Sequence, residues 1–245
     1  MKECLNCGVK SEGKYCQSCG QETEVKRLEV KTIFHDVTHG ILHWENSILR
    51  TFRCLLIKPG GTVRGYISGL RKSYVKPFSY FIFIQTIFVL LFHAMNGKYF
   101  AFASYSINET GDNPGKAEQM QHMIGNYINY CNYIMPVFLA LYLYLFFRKK
   151  AGINYAESLA GSFYWVGTTL VFSITLMLLS LIDERIWNAG VLINSIFLMY
   201  GIFIFTGQKN FTGIIKSILT VFLSYVTYGL FVGIMLLLYT KYFLN

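Results

Sequence analysis

The chain has 245 residues, 53% of them hydrophobic and only 14% charged, with a mean hydropathy of +0.40. A soluble domain carries about 25% charged residues, so an ordinary soluble globule is excluded and an all-α membrane protein is expected. The net charge of +9 is unevenly spread, with thirteen Lys/Arg against seven Asp/Glu in residues 1–76. A basic excess ahead of the first long apolar run predicts retention in the cytoplasm and contact with anionic lipid headgroups, with no nucleic-acid partner.

Met1 leads straight into a Cys-x-x-Cys, without the apolar region and cleavage site of a signal peptide. Cys4 and Cys7, then Cys16 and Cys19, form two such pairs, each followed by glycine (Gly8 and Gly20). Glycine lets the chain turn so that backbone amides point at the thiolates. Four thiolates at about 2.3 Å from one ion make a closed tetrahedral zinc site, structural because no coordination position stays open. So short a segment cannot bury a core, and the metal would supply its folding free energy. Two disulfides or free thiols are the other readings of the spacing. The expectation is a zinc ribbon over residues 1–25.

Residues 26–76 read as an amphipathic and basic juxtamembrane region. Val30, Ile33, Phe34, Val37, Ile41, Trp44, Ile48, Phe52 and Leu55 recur at steps of three or four, a helical stripe over 28–57. His35, His39 and His43 fall on the opposite face. Their i, i+4 spacing can place two imidazoles on one metal, but no carboxylate stands where a general base would, and a solvated polar face or headgroup contacts are the favoured explanation. Such a helix lies on a membrane surface or against a bundle. Pro59-Gly60-Gly61 reads as a helix stop. The following 62–76 is short and basic, and Arg64, Arg71, Lys72 and Lys76 are candidate headgroup ligands, with Tyr66 and Tyr74 in the same interfacial layer.

Five apolar runs then occupy about 77–95, 128–147, 159–182, 190–207 and 214–239, each able to cross roughly 30 Å of hydrocarbon. They define a five-helix transmembrane domain over 77–245. The connections carrying Arg148, Lys149 and Lys150, and Lys209 and Lys216, should share the cytoplasmic side with the N-terminus. The 96–127 loop and the 183–189 turn are richer in acids and should face outward, as should the C-terminus.

No Asp, Glu, Lys or Arg lies deeper in any run than Lys216, at the edge of the last. That counts against a proton-coupled transporter. Asn126, Asn129, Asn132 and Asn194 serve helix packing or, alternatively, line a solute path. Glu157 is the most suggestive single acid, with an interfacial pair to Arg148 or Lys149 as its plain explanation. No nucleophile elbow, Walker motif or catalytic carboxylate pair is present, so no enzymatic activity is expected.

Three motifs carry a resemblance: Cys19-Gly20-Gln21 closing the cysteine pairs, Pro59-Gly60 followed by Tyr66-Ile67-Ser68-Gly69-Leu70-Arg71, and Tyr155-Ala156-Glu157. In these the chain resembles a family of bacterial membrane proteins of unknown function. The resemblance implies an N-terminal zinc ribbon, a multi-span domain in the inner membrane, and no assigned chemistry. Together these readings suggest a non-enzymatic anchor or scaffold that binds a cytoplasmic protein partner or lipid headgroups. The alternative is a small-solute or lipid transporter using the bundle interior, which a polar cavity reaching Asn129, Asn132 and Asn194 would favour.

Overall fold

The computed structural model describes residues 2–35, 45–95, 131–183, 185–208 and 210–243. His39, His43, Asn126 and Asn129 lie outside them, and His35 is the last residue of a short helix. The metal-pair reading of the histidines therefore has no structural counterpart to assess.

A two-stranded antiparallel hairpin opens the chain, β1 (Lys2–Glu3) with β2 (Lys10–Ser11). Two short helices follow, α1 (Val30–His35) and α2 (Glu45–Ile57), which fall within the stripe predicted over 28–57. Residues 36–44 between them are outside the described set. Leu28, Ile33, Ile48 and Leu55 are buried in the same core as the long helices behind them.

The Pro59-Gly60-Gly61 stop is half correct. Helix α2 does end at Ile57, but Pro59 opens a new helix, α3 (Pro59–Ser68). Proline suits the first helical position because no hydrogen bond is lost there and its φ is already helical. Nor does this segment rest in a headgroup layer along its length. Pro59, Gly60, Thr62, Val63 and Tyr66 are buried, and the Tyr66 ring stands edge-on to Tyr164 at 5.6 Å. A Cβ at Gly60 would lie 2.4 Å from the backbone nitrogen of Phe205, so the glycine is what lets α3 touch its neighbour backbone to backbone.

The remaining helices are α4 (Pro77–Ala94), α5 (Met135–Ala151, entered through a 3₁₀ turn at Asn132–Ile134), α6 (Tyr155–Leu179), the short α7 (Arg185–Asn188), α8 (Gly190–Thr206) and α9 (Phe211–Phe243). Among the described residues, four helical stretches are long and apolar enough to cross a membrane: Pro77–Ala94, Tyr155–Leu179, Arg185–Thr206 and Phe211–Leu238. Predicted span 128–147 is described only from residue 131, and α5 supplies 17 residues of helix there, with Arg148, Lys149 and Lys150 in the last turn before Ala151.

Helix α6 is the axis of the bundle. It packs against α4, α5 and α8, while α9 lies outside against α5 and α8. Its start is fixed by a reciprocal cap: Asn154 Oδ1 accepts from the Glu157 amide at 2.7 Å, and Glu157 Oε2 accepts from the Asn154 amide at 2.8 Å. Gly161 and Gly167 let neighbours approach α6, since a Cβ on Gly167 would meet the Tyr80 ring at 2.8 Å. Trp165, Tyr164, Phe163, Phe81, Leu139, Leu143 and Phe147 fill the interior and are essentially inaccessible.

Helix ends cluster at one end of this bundle. Lys216, early in α9, donates to the Phe146 carbonyl near the end of α5. Arg64 donates to the Phe205 carbonyl at the end of α8, at 2.6 Å. Tyr164 donates to the Val75 carbonyl just before α4. Starts of α4, α6 and α9 thus share one end with the finishes of α5 and α8, the up-and-down order expected of consecutive crossings.

Candidate metal centre and its docking site

Each cysteine pair folds as a knuckle, and the two knuckles repeat one hydrogen-bond scheme. The Gly8 amide donates to the Cys4 carbonyl and the Gly20 amide to the Cys16 carbonyl, both at 2.8 Å. The Cys4 amide donates to Val9, and the Cys16 amide to Gln21, five residues on in each case. Gly8 has φ 75° and Gly20 φ 69°, the left-handed region in which glycine carries no Cβ penalty. This is the turn expected from the sequence.

The four Sγ atoms lie within 4.8 Å of one another. Cys4 Sγ is 3.6 Å from Cys19 and Cys7 Sγ is 3.5 Å from Cys16. Four thiolates around one ion at about 2.3 Å would stand about 3.8 Å apart along each tetrahedral edge, so the cluster fits a single tetrahedral metal. All four are free cysteines, which sets aside the two-disulfide reading. Cys4 and Cys16 are buried, Cys19 half-buried and Cys7 exposed.

Electrostatics favour thiolate at the first cysteine of each knuckle. The amides of Cys7 and Asn6 hold the Cys4 thiol below its ordinary value. Those of Cys19 and Ser18 bring Cys16 down to about 7. At Cys7 the Val9 amide acts in the same direction, but desolvation and the three neighbouring sulfurs outweigh it and push the thiol up to about 12.

Two attachments hold this module to the bundle. In the first, the buried Gln21 side chain serves the turn after α3. Its Nε2 donates to the Gly69 carbonyl at 2.8 Å, and its Oε1 accepts from the amides of Arg71 and Lys72 at 3.1 and 3.0 Å. Leu5 packs so close to Gly69 that a Cβ there would lie 2.7 Å from Leu5 Cδ1. Ser73 Oγ donates to Asn6 Oδ1 at 2.7 Å, and the Arg71 guanidinium reaches the Lys26 carbonyl.

In the second, Arg27 grips Glu157 with both nitrogens, Nε to Oε1 at 2.8 Å and Nη2 to Oε2 at 3.0 Å. Nη2 also donates to the Gly152 carbonyl at 2.7 Å, and Asn154 Nδ2 donates to Leu28. Glu157 is 5% exposed. Its partner is therefore Arg27, 130 residues away, and not Arg148 or Lys149. Those two lie on the exposed end of α5, where Arg148 covers the Tyr144 ring at 5.4 Å.

The basic residues of 64–76 do not act as one group. Arg64 serves the carbonyl end of α8, where the helix dipole favours a cation. Arg71 faces the N-terminal module, Lys72 is exposed and Lys76 half-buried at the entrance to α4. Of the residues that make the attachments, Arg27 and Asn154 were not singled out from the sequence, and Gln21 was named only as the end of the cysteine motif. Yet the three resembling motifs each hold one side of a contact: Gln21 follows the last cysteine pair, Gly69 and Arg71 close the middle motif, and Glu157 ends the third.

No curated protein and no solved structure matches the chain. Residues 45–89, running from α2 through α3 into α4, match the model of a family described as "Protein of unknown function (DUF3667)", which spans the middle motif and the turn that Gln21 clamps.

Proposed function

We propose that this chain is a non-enzymatic scaffold of the bacterial inner membrane, in which a zinc-loaded ribbon (1–25) is fixed to the cytoplasmic end of a five-span bundle (77–245) by the intervening 26–76 region. The observation that carries the reading is the double attachment, Gln21 on the 69–72 turn and Arg27 on Glu157. A closed four-thiolate site has no position for substrate. The acid most suggestive of chemistry, Glu157, is committed to an ion pair and a helix cap. The docked ribbon would offer its outer face to a cytoplasmic protein partner.

Lipid contact completes the picture. Helix α2 exposes Leu49, Leu56 and Ile57 beside the exposed Arg50 and Arg53, a face suited to the boundary between acyl chains and anionic headgroups. Lys72 and Lys76 would extend the same basic belt. Asn132 and Asn194 do line one cavity, the feature that would favour the transport alternative, but the packed aromatic core at the ribbon end supports an anchor over a path running the length of the bundle.

Orientation is the expectation to test. A reporter fused after Asn245 should be active only outside the cytoplasmic membrane, and one inserted near Lys150 only in the cytoplasm. Activity of both on one side would contradict five spans with this polarity.

A further inference from the structure

A cleft of about 370 Å³ opens at the ribbon end of the bundle, between α3 and the finishes of α5 and α8. Its described wall carries Arg27, Arg64 and Glu157 beside apolar Ile67, Ile153 and Phe205. Arg64 is exposed, yet the root of its guanidinium is fixed, because Nε donates to the Phe205 carbonyl at 2.6 Å. Gly207 makes room for the rest of the group. Its φ is 65°, and a Cβ there would lie 2.6 Å from Arg64 Nη2. Capping α8 occupies Nε alone, and Nη1 and Nη2 have no partner among the described residues. The carboxylate of the described wall, Glu157, is paired with Arg27, which leaves the Arg64 charge unanswered there.

We propose that this cleft binds a phosphate monoester, seated on the two terminal nitrogens of Arg64 with its first carbons against Ile67 and Ile153. The planar guanidinium fork matches two phosphate oxygens at once, and a fork already held at Nε loses less freedom on binding. Basic pockets between membrane helices on the cytoplasmic side suit anionic headgroups. At about 30 Å³ for each water-sized unit, the space holds about ten heavy atoms, a phosphate with glycerol attached. The site deepens the lipid contact proposed above, and rests on that reading only in expecting this end of the bundle to meet a membrane surface.

Calorimetric titration of the detergent-purified full chain with soluble probes tests the site. Dihexanoyl phosphatidic acid, kept below its micellar concentration, should bind saturably, one per chain. Arg64→Gln should weaken that binding about tenfold, the loss of a charge-assisted contact. Arg64→Lys keeps the charge without the fork and should weaken it too, while Arg185→Gln, on α7, should leave it unchanged. Glycerol phosphate separates the two sources. Binding as tight as the lipid's assigns the site to a free phosphate ester, and much weaker binding assigns it to a headgroup with its acyl chains. Dihexanoylglycerol, the same lipid without its phosphate, should not saturate. These comparisons use unmodified protein, so the idea stays exposed even if Arg64→Gln misfolds. No saturable binding of either phosphate probe would overturn the proposal, as would equal saturation by dihexanoylglycerol or an unchanged affinity in folded Arg64→Gln. Because the probes are soluble, such a failure strikes this cleft alone and leaves the α2 face and the docked ribbon standing.

Discussion

Replacing Cys16 with serine should abolish metal binding and unfold the N-terminal module, the largest effect expected of any single substitution in this chain. The module has two strands of two residues each and no apolar core large enough to hold it, so a bound metal would supply its folding free energy. Structural zinc supplies roughly 10–16 kcal/mol in comparable peptides near neutral pH, and three sulfurs cannot close the tetrahedron. Cys16 is also the thiol that the Cys19 and Ser18 amides bring down to about 7, and so the readiest anionic ligand. Elemental analysis of the intact protein, purified under reducing conditions, should give one zinc per chain for the wild type and none for Cys16→Ser. Because the ligands bind as thiolates, metal should be lost on acidification and regained at neutral pH. A wild-type chain without metal under these conditions would refute the assignment of zinc.

Removing Arg27 should cost the next most. In Arg27→Ala the Glu157 carboxylate stays buried and keeps only the Asn154 amide. Breaking a fully buried pair costs about 3–5 kcal/mol, but the Arg27 side chain is 61% exposed, so solvent screens much of the attraction. The expected loss of stability is read as a lower melting temperature and faster proteolysis near residue 27. Glu157→Gln should be milder, since glutamine can still accept from the Asn154 amide and the freed guanidinium is mostly hydrated.

Spacing and composition reveal what is local. The cysteine pairs dictate their knuckles, since each sulfur, glycine and amide involved lies within six residues of the others. The apolar runs became α4, α6, α8 and α9 because twenty apolar residues have few other folded forms. Asn154-x-x-Glu157 before an apolar run is a capping-box pattern that could have placed the start of α6. It also offered a reason for Glu157 not to pair with Arg148. The docking contacts are a different matter. Gln21 to Gly69 spans 48 residues and Arg27 to Glu157 spans 130, and no periodicity connects such positions. Pro59 was ambiguous for a physical reason: proline at a helix's first position and proline after a helix's end look alike, and here it is both. Tyr66 beside basic residues reads as interfacial, and only its packing on Tyr164 shows otherwise.

Amide hydrogen exchange on the purified protein tests most directly whether a metal-folded module is clamped to the bundle. The Arg71 and Lys72 amides are held by Gln21, and the segment 152–157 is covered by Arg27 and Leu28. With zinc bound, both segments should exchange slowly. Chelation should unfold residues 2–25 and speed exchange at 69–73 and 152–157 together, while the centre of α6 stays protected. Unchanged exchange at both segments after complete zinc removal would contradict the account.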